Sequence, residues 1–490
     1  MIYPILLVVL AAQGAVDPER PIDLAPAVPP IQESDVLTLE QAMEIGLRNA
    51  FLVRTAEARL RETEASKREA QSALGLRGSV QGRYTFFDRE QRAQFGEQTV
   101  VIQARSGGSA QIDITLPLDI NGNIRRNIRA VGFAVRASEM SLRGDVNEIK
   151  SQIRRGYNQI LQSEALVKVQ EDAVVASLQQ LQNARKLFEA QEVAKVDVLR
   201  FESQLAFDES NLVQARNRLE LAKQNFNNLL VRPIETPIRA VSVQEMPPIP
   251  TDVDELVAVA ITNRPDVRRQ GFLLEQAGQR RRLFQNANAP QLNLGVNYTR
   301  NINNSGFSGS DYSASASIVM QWPIIDGGQS RAQVQQVDAQ IDQLQIQLEQ
   351  ILLGASLEVR SAVQTMIDAR AQMLAFERNV EAAEEAYRLS ILRVQAGEGI
   401  TLEILNAQTA LTQARAGVAT SRYDYLNAYA LLLRALGVDS LEEYAGSLGT
   451  EPVTLPAPAK PAKPAAPQPA RPSRPRPNTD DPITEISSTP

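Results

Sequence analysis

Four stretches of the chain alternate apolar and polar residues with period two. In the first, Val80, Gly82, Tyr84 and Phe86 share a face, with Ser79, Gln81, Arg83 and Thr85 opposite. In the second, Ala110, Ile112, Ile114 and Leu116 oppose Gln111, Asp113 and Thr115, and in the third, Leu292, Leu294, Val296 and Tyr298 oppose Asn293, Gly295, Asn297 and Thr299. The fourth sets Tyr312, Ala314, Ala316, Ile318, Met320 and Trp322 against Ser313, Ser315, Ser317 and Gln321, with Val319 the exception. This spacing predicts strands in two hairpins, 78–118 and 291–322. Most of the remaining chain follows a helical period: Leu39–Leu74, Ile124–Phe188, Val196–Leu230, Val253–Phe284, Ser330–Ala396 and Thr401–Leu436 read as helices. Steps of three and four run unbroken through Val198, Phe201, Leu205, Asp208, Leu212, Ala215, Leu219, Ala222, Phe226 and Leu229. They return through Ile404, Ala407, Leu411, Ala414, Val418, Ser421, Tyr425, Ala428, Leu432 and Ala435, and Val334, Val337, Ile341, Leu344, Leu348 and Ile351 make a third seam. Such seams predict knobs-into-holes packing against a neighbouring helix.

The pattern occurs twice. Pro117 recurs as Pro323 and Leu199 as Leu405, each 206 residues on, while Asn49 and Tyr84 recur as Asn263 and Tyr298 at an offset of 214. The change of offset puts an eight-residue length difference between Tyr84 and Pro117, where a surface loop absorbs it most easily. The chain therefore reads as a duplicated helix–hairpin–helix unit. The first repeat covers 37–231 with its long helix pair at 123–230, and a proline-rich connection covers 232–252. The second repeat covers 253–436 with its helix pair at 329–436. Outside them lie an apolar segment 1–14 that reads as a signal peptide, an extended segment 15–36, a short segment 437–450 and a Pro/Ala-rich tail 451–490 expected to be disordered.

Composition narrows the classes. The 490 residues include no Cys and no His, which removes thiol nucleophiles, imidazole bases, and zinc or haem sites built on them. A net charge of −6 gives nucleic-acid binding no electrostatic basis. Asp113 is the lone acid in the alternating stretches, so paired-carboxylate chemistry has no place there.

A soluble antiparallel sheet packed on helices would show the same alternation. Two features favour a membrane barrel instead. The polar faces are rich in Asn, Ser, Thr and Gln, suited to a wet lumen, and the long helices have no apolar surplus with which to cover a sheet. Four strands cannot close a barrel, and an open edge in lipid leaves backbone groups unpaired, so several copies must close it together. The fold class expected is mainly α with a membrane β-barrel, the long helices forming an α-helical barrel beneath it. A soluble elongated coiled-coil scaffold is the alternative.

Over roughly 37–440 the chain resembles the outer-membrane efflux protein family, the TolC-like channels. The resemblance is carried by the duplicated helix–hairpin–helix unit, by Leu39-Glu-Gln-Ala42 with Asn49, by the strand-to-helix turn Trp322-Pro323-Ile-Ile-Asp326-Gly-Gly328 (Pro117 to Gly122 is its counterpart in the first repeat), by the tip Gly397-Glu398-Gly399 and by Leu405-Asn-Ala-Gln408. It implies a homotrimer with a twelve-stranded barrel in the cell outer membrane and a tunnel across the periplasm. It further implies a periplasmic adaptor (membrane fusion) protein and an inner-membrane pump of RND or ABC type as partners, export of small molecules or proteins, and no cofactor or catalysis. Family members narrow the tunnel at the helix tips, and those positions fall on Asp197 with Arg200 and on Glu403 with Asn406. Three copies would form a carboxylate ring, where a solvated acid complementing a helix dipole is the plainer role. Asn406 stands where some members carry a second acid, and the turn Gly397-Glu398-Gly399 holds no basic bridging residue. Tyr84, Phe86, Tyr298 and Trp322 are expected at the membrane rims.

Overall fold

The computed structural model describes residues 36–96, 98–241, 246–302 and 311–441. They fall in one compact unit, 1–450; a second unit, 451–490, and the apolar segment 1–14 lie outside the described residues.

In chain order the elements are β1 (Val36–Leu37), α1 (Leu39–Asn49), α2 (Phe51–Ser72), β2 (Arg77–Phe86), β3 (Gln91–Phe95), β4 (Gln98–Gln103), β5 (Ser106–Leu118), α3 (Asn123–Glu189) and α4 (Lys195–Leu229). The second repeat follows as β6 (Arg239–Ala240), α5 (Val253–Asn263), α6 (Pro265–Gln285), β7 (Gln291–Ile302), β8 (Tyr312–Gln321), α7 (Gln329–Gln395) and α8 (Thr401–Leu436). Helices α3 and α7 have 67 residues each, which at ~1.5 Å per residue is about 100 Å of helix. No helix among the described residues is long and apolar enough to cross a membrane.

Strands β2, β5, β7 and β8 form one antiparallel sheet in that order, with rows such as Val80, Ile112, Tyr298 and Ala314 in register. The two hairpins thus join through β5 and β7, leaving the outer edges of β2 and β8 unpaired among the described residues. The sequence reading missed the small hairpin β3–β4, which projects from the tip of the first hairpin. It lies between Tyr84 and Pro117, where the repeats differ in length. Its first strand, Gln91-Arg-Ala-Gln-Phe95, has only Ala93 and Phe95 to mark an apolar face, too few for a sustained alternation.

Two helices expected to run straight are broken. Leu39–Leu74 divides at Ala50 and Val253–Phe284 at Arg264, both with ψ near 125°. These positions are 214 apart and therefore equivalent. In the second repeat Pro265 explains the break, because a residue before proline is pushed out of the helical region. In the first repeat Phe51 stands in its place, and tertiary packing must hold the same bend. Ala50 is 2% exposed, within the main core.

That core gathers α1, α3, α4, α5, α7 and α8 around Ile153, Tyr157, Phe226, Met366, Tyr425 and Leu432. Each such buried side chain stabilises by about 2 kcal/mol. The Tyr157 hydroxyl donates to Leu37 O at 2.9 Å and accepts from Val241 N at 2.7 Å, tying the two-stranded β1–β6 pairing to α3. Every position of the three heptad seams is buried or half-buried. The pairs Arg216–Glu171 and Arg185–Glu202 show α4 running back along α3, and Arg415–Glu384 shows α8 running back along α7.

The duplication reaches the backbone. The left-handed residues Gly122, Gln191 and Val231 of the first repeat recur 206 residues on as Gly328, Gly397 and Gly437. Gln191 (φ 59°) and Val231 (φ 55°) hold conformations for which the second repeat uses glycine.

Candidate functional site

Two ends of the helix pairs meet. The chain turns from α3 to α4 through Gln191 and from α7 to α8 through Gly397. Asp197 lies in the first turn of α4, where its Oδ1 meets Arg200 Nη1 at 3.3 Å. The same Oδ1 accepts from Thr401 Oγ1 at 2.5 Å, so one hydrogen bond joins the two tips of the chain. Glu403 is half-buried and pairs with Arg393 Nη1 at 3.2 Å, while Arg393 Nη2 donates to Glu398 O at 3.2 Å. Asn406 is exposed, and its side chain makes no hydrogen bond among the described residues. Above the turns Leu181, Ala184, Phe201, Ile404 and Leu405 form a small core that holds both tips.

Arg393 and Thr401 were missed by the sequence reading. The absence of a basic residue in the turn itself stands, but the last turn of α7 supplies one. A base in the last turn of one helix and an acid in the first turn of the next, joined by a short loop, is the signal that marks such a pair. Gly399 makes room for it: a Cβ there would lie 3.1 Å from Arg393 Cβ and 3.2 Å from Val394 N.

A second polar knot lies deeper in the helix pairs. Asp208, a seam position only 5% exposed, accepts from Ser177 Oγ and from Gln204 Nε2 at 3.1 Å. Gln408 Nε2 donates to Ser177 Oγ at 2.6 Å, so α3, α4 and α8 are stitched together by side chains whose pairing depends on register.

At the other end, Gly122 and Gly328 begin the long helices in the left-handed conformation and offer no capping side chain. Asp119 and Asp326 take that role. Asp119 accepts from Ile124 N and Arg125 N at 3.0 Å each, and Asp326 from Gly328 N and Ser330 N at 2.9 Å each. Hydrogen bonds from Ser330 and Gly328 hold the Asp326 carboxyl well below the usual carboxylate range. Pro323 lies two residues beyond the end of β8, after Trp322, but Pro117 sits within β5, just before its end. Beside β2 the pairing of β5 ends at Thr115, so the missing N–H of Pro117 costs no ladder bond there.

The four aromatics expected at the rims are all substantially exposed, from Tyr298 at 37% to Phe86 at 77%. Tyr84 and Phe86 lie at the end of β2 far from the helices, with ring centroids 4.8 Å apart. Trp322 lies at the helix-proximal end, its Nε1 donating to Asn288 O at 3.0 Å. Tyr298 sits in a more interior row, opposite Ile112 and Ala314.

The profile of the family described as "Outer membrane efflux protein" matches residues 42–230 and 256–438, one span for each repeat. The chain belongs to the outer membrane efflux protein family. Among its relatives, the outer membrane efflux protein BepC of Brucella suis biovar 1 is 23% identical over 341 residues, covering 69% of this chain and 74% of that one. The pyoverdine export outer membrane protein OpmQ of Pseudomonas putida is 25% identical over 419 residues, covering 81% and 85%. The solved outer-membrane channel OprN shares the fold with a TM-score of 0.69 at 21% identity, covering 81% of this chain and 89% of that one. An outer membrane efflux protein is a channel for export through the cell outer membrane, with a helical extension into the periplasm. Membership sets aside the soluble coiled-coil scaffold.

Proposed function

We propose that three copies of this chain close into one export duct and that the helix tips form its periplasmic aperture. The observation that carries the trimer is the sheet itself. Among the described residues its outer edges on β2 and β8 are unpaired and its apolar face is exposed, with Val80 at 62%, Ile318 at 68% and Met320 at 61%. In lipid such edges must be paired, and pairing β2 of one copy with β8 of the next closes the sheet. Three copies give twelve strands and a lumen wide enough to stay wet. On this reading the duct receives cargo, small molecules or proteins, from an inner-membrane pump of RND or ABC type through a periplasmic adaptor protein. Because the chain lacks Cys, the test is direct. A set of variants such as Ser79→Cys with Ser315→Cys places one thiol on each edge. Oxidation is expected to yield a covalent band at three times the chain mass, and monomer alone across the whole set would sink the trimer.

The tip contacts act as ties that hold the aperture narrow. Each carboxylate carries an arginine partner, so the aperture is a ring of ion pairs, not of bare acids. Asp197→Ala with Glu403→Ala leaves Arg200 and Arg393 uncompensated. Ion preference in planar-bilayer recordings is expected to move toward anions; unchanged preference would remove these residues from the pore. Thr401→Val cuts the tip-to-tip bond and is expected to raise conductance.

A further inference from the structure

The exposed apolar face of the sheet does not end where the strands end. Beyond Ile318, Met320 and Trp322 the turn continues with Ile324 at 73% and Ile325 at 89% exposure. The turn of the first repeat presents Leu118 at 36% and Ile120 at 58%. Bare isoleucines of this kind on a turn facing water would be an aggregation liability. Their continuity with the lipid-facing strand surface assigns them a cover.

Two further features fit that cover. Part of the backbone where each turn enters its helix is satisfied from within the chain: Asp119 accepts from the N–H groups of Ile124 and Arg125, and Asp326 from those of Gly328 and Ser330. Asn121 Nδ2 donates to Pro290 O and Trp322 Nε1 to Asn288 O, at 3.2 and 3.0 Å. Secondly, each long helix carries an exposed arginine in its first turn, Arg125 and Arg331, at equivalent positions 206 residues apart. A cation there opposes the helix dipole. Arg125 reaches Asp119 only at 4.0 Å, with its side chain 67% exposed. An anion outside the chain would give both arginines a purpose, and lipid phosphate lies at that depth if the isoleucines lie in acyl chains.

We propose that the strand-to-helix turns of both repeats form a phospholipid-binding collar, with acyl chains against Leu118, Ile120, Ile324 and Ile325 and phosphate at Arg125 and Arg331. The collar rests on the membrane reading above but is tested apart from it. Trp322 is the single tryptophan of the chain and lies within the collar. The full chain is reconstituted into vesicles containing phosphatidylcholine brominated at chosen acyl depths. Bromines near the carbonyl end are expected to quench Trp322 emission roughly twofold, and bromines near the chain terminus less, as befits an interfacial ring. A label on Ile325→Cys is expected to be quenched likewise. Conducting channels whose label is blue-shifted but unquenched would mean that a neighbouring copy covers the turn, which overturns the collar and leaves the channel standing. Neither quenching nor conductance overturns both. Arg125→Gln with Arg331→Gln is expected to reduce roughly twofold any preference for brominated phosphatidylglycerol over brominated phosphatidylcholine; an unchanged preference removes the phosphate contact.

Discussion

Val231 and Gly437 occupy one backbone position in two repeats, and the comparison shows what each costs. A β-branched residue in the left-handed region carries strain of order 1–3 kcal/mol. Val231→Gly is therefore expected to raise stability by about 1 kcal/mol after the added chain entropy of glycine is set against the relief. The reverse change is worse than symmetric. A Cβ at Gly437 would lie 3.3 Å from Arg264 Cα and from Asn263 O, so Gly437→Val adds crowding to strain and is expected to cost about 2 kcal/mol or more. Thermal melting of the two variants checks both signs. The same scale explains which site residues could be read from the chain. Asp197 and Glu403 stand in first helical turns, a position that sequence marks openly. Arg393 could have been read from its place in a last helical turn, one short loop before Glu403, whereas Thr401 meets Asp197 only when two separate turns are folded together, and nothing in its neighbours announces that. Asp119 and Asp326 were passed over because they sit at different distances from their glycines, although they do the same capping.

At the scale of elements the long helices and the sheet were legible because their periods persist for many residues. The break at Arg264 was within reach through Pro265, whereas that at Ala50 is visible only by analogy with its repeat. Around Arg264 the break is held by charge: its guanidinium meets Asp266 and Glu358 at 2.7 Å each. Burial pushes the Asp266 carboxyl up, but the hydrogen bonds and charge of Arg264 outweigh it and hold it below its ordinary value of 3.8. A depressed carboxyl contributes stability above its unfolded value and loses it as pH falls toward the folded one. The stability gap between the wild-type chain and Asp266→Asn is thus expected to be full near neutrality and to shrink in melts taken at and below pH 3.8. Helix contact offers a second check. A Cβ on Gly417 of α8 would lie 2.4 Å from the Phe376 ring of α7, so Gly417→Ala forces the ring aside and is expected to cost about 1–3 kcal/mol. A neutral result would show that the pair can slide.

For the chain as a whole, duplication supplies two similar sectors, and closure supplies the number of copies. The open edges of β2 and β8 were not visible as edges in the sequence, because strand order depends on β5 pairing with β7 across the repeats. What the sequence did show was the insufficiency of four strands, and from that the need for company. The repeats differ where the ring would depart from sixfold likeness: the β3–β4 hairpin at one end and the unlike tip pairs at the other. In the first repeat the tip acid turns to its own helix and to Thr401, whereas in the second it turns back across the loop to Arg393.

The bond between Thr401 and Asp197 has a mechanical consequence. It yokes two hairpins of one chain, so six hairpins in the proposed ring would swing as three leaves. A shutter of three leaves passes through triangular apertures as it parts, and it has fewer intermediate widths than one of six petals. Unpinning each leaf with Thr401→Val should then multiply the sublevels seen in single-channel current traces, besides raising the conductance.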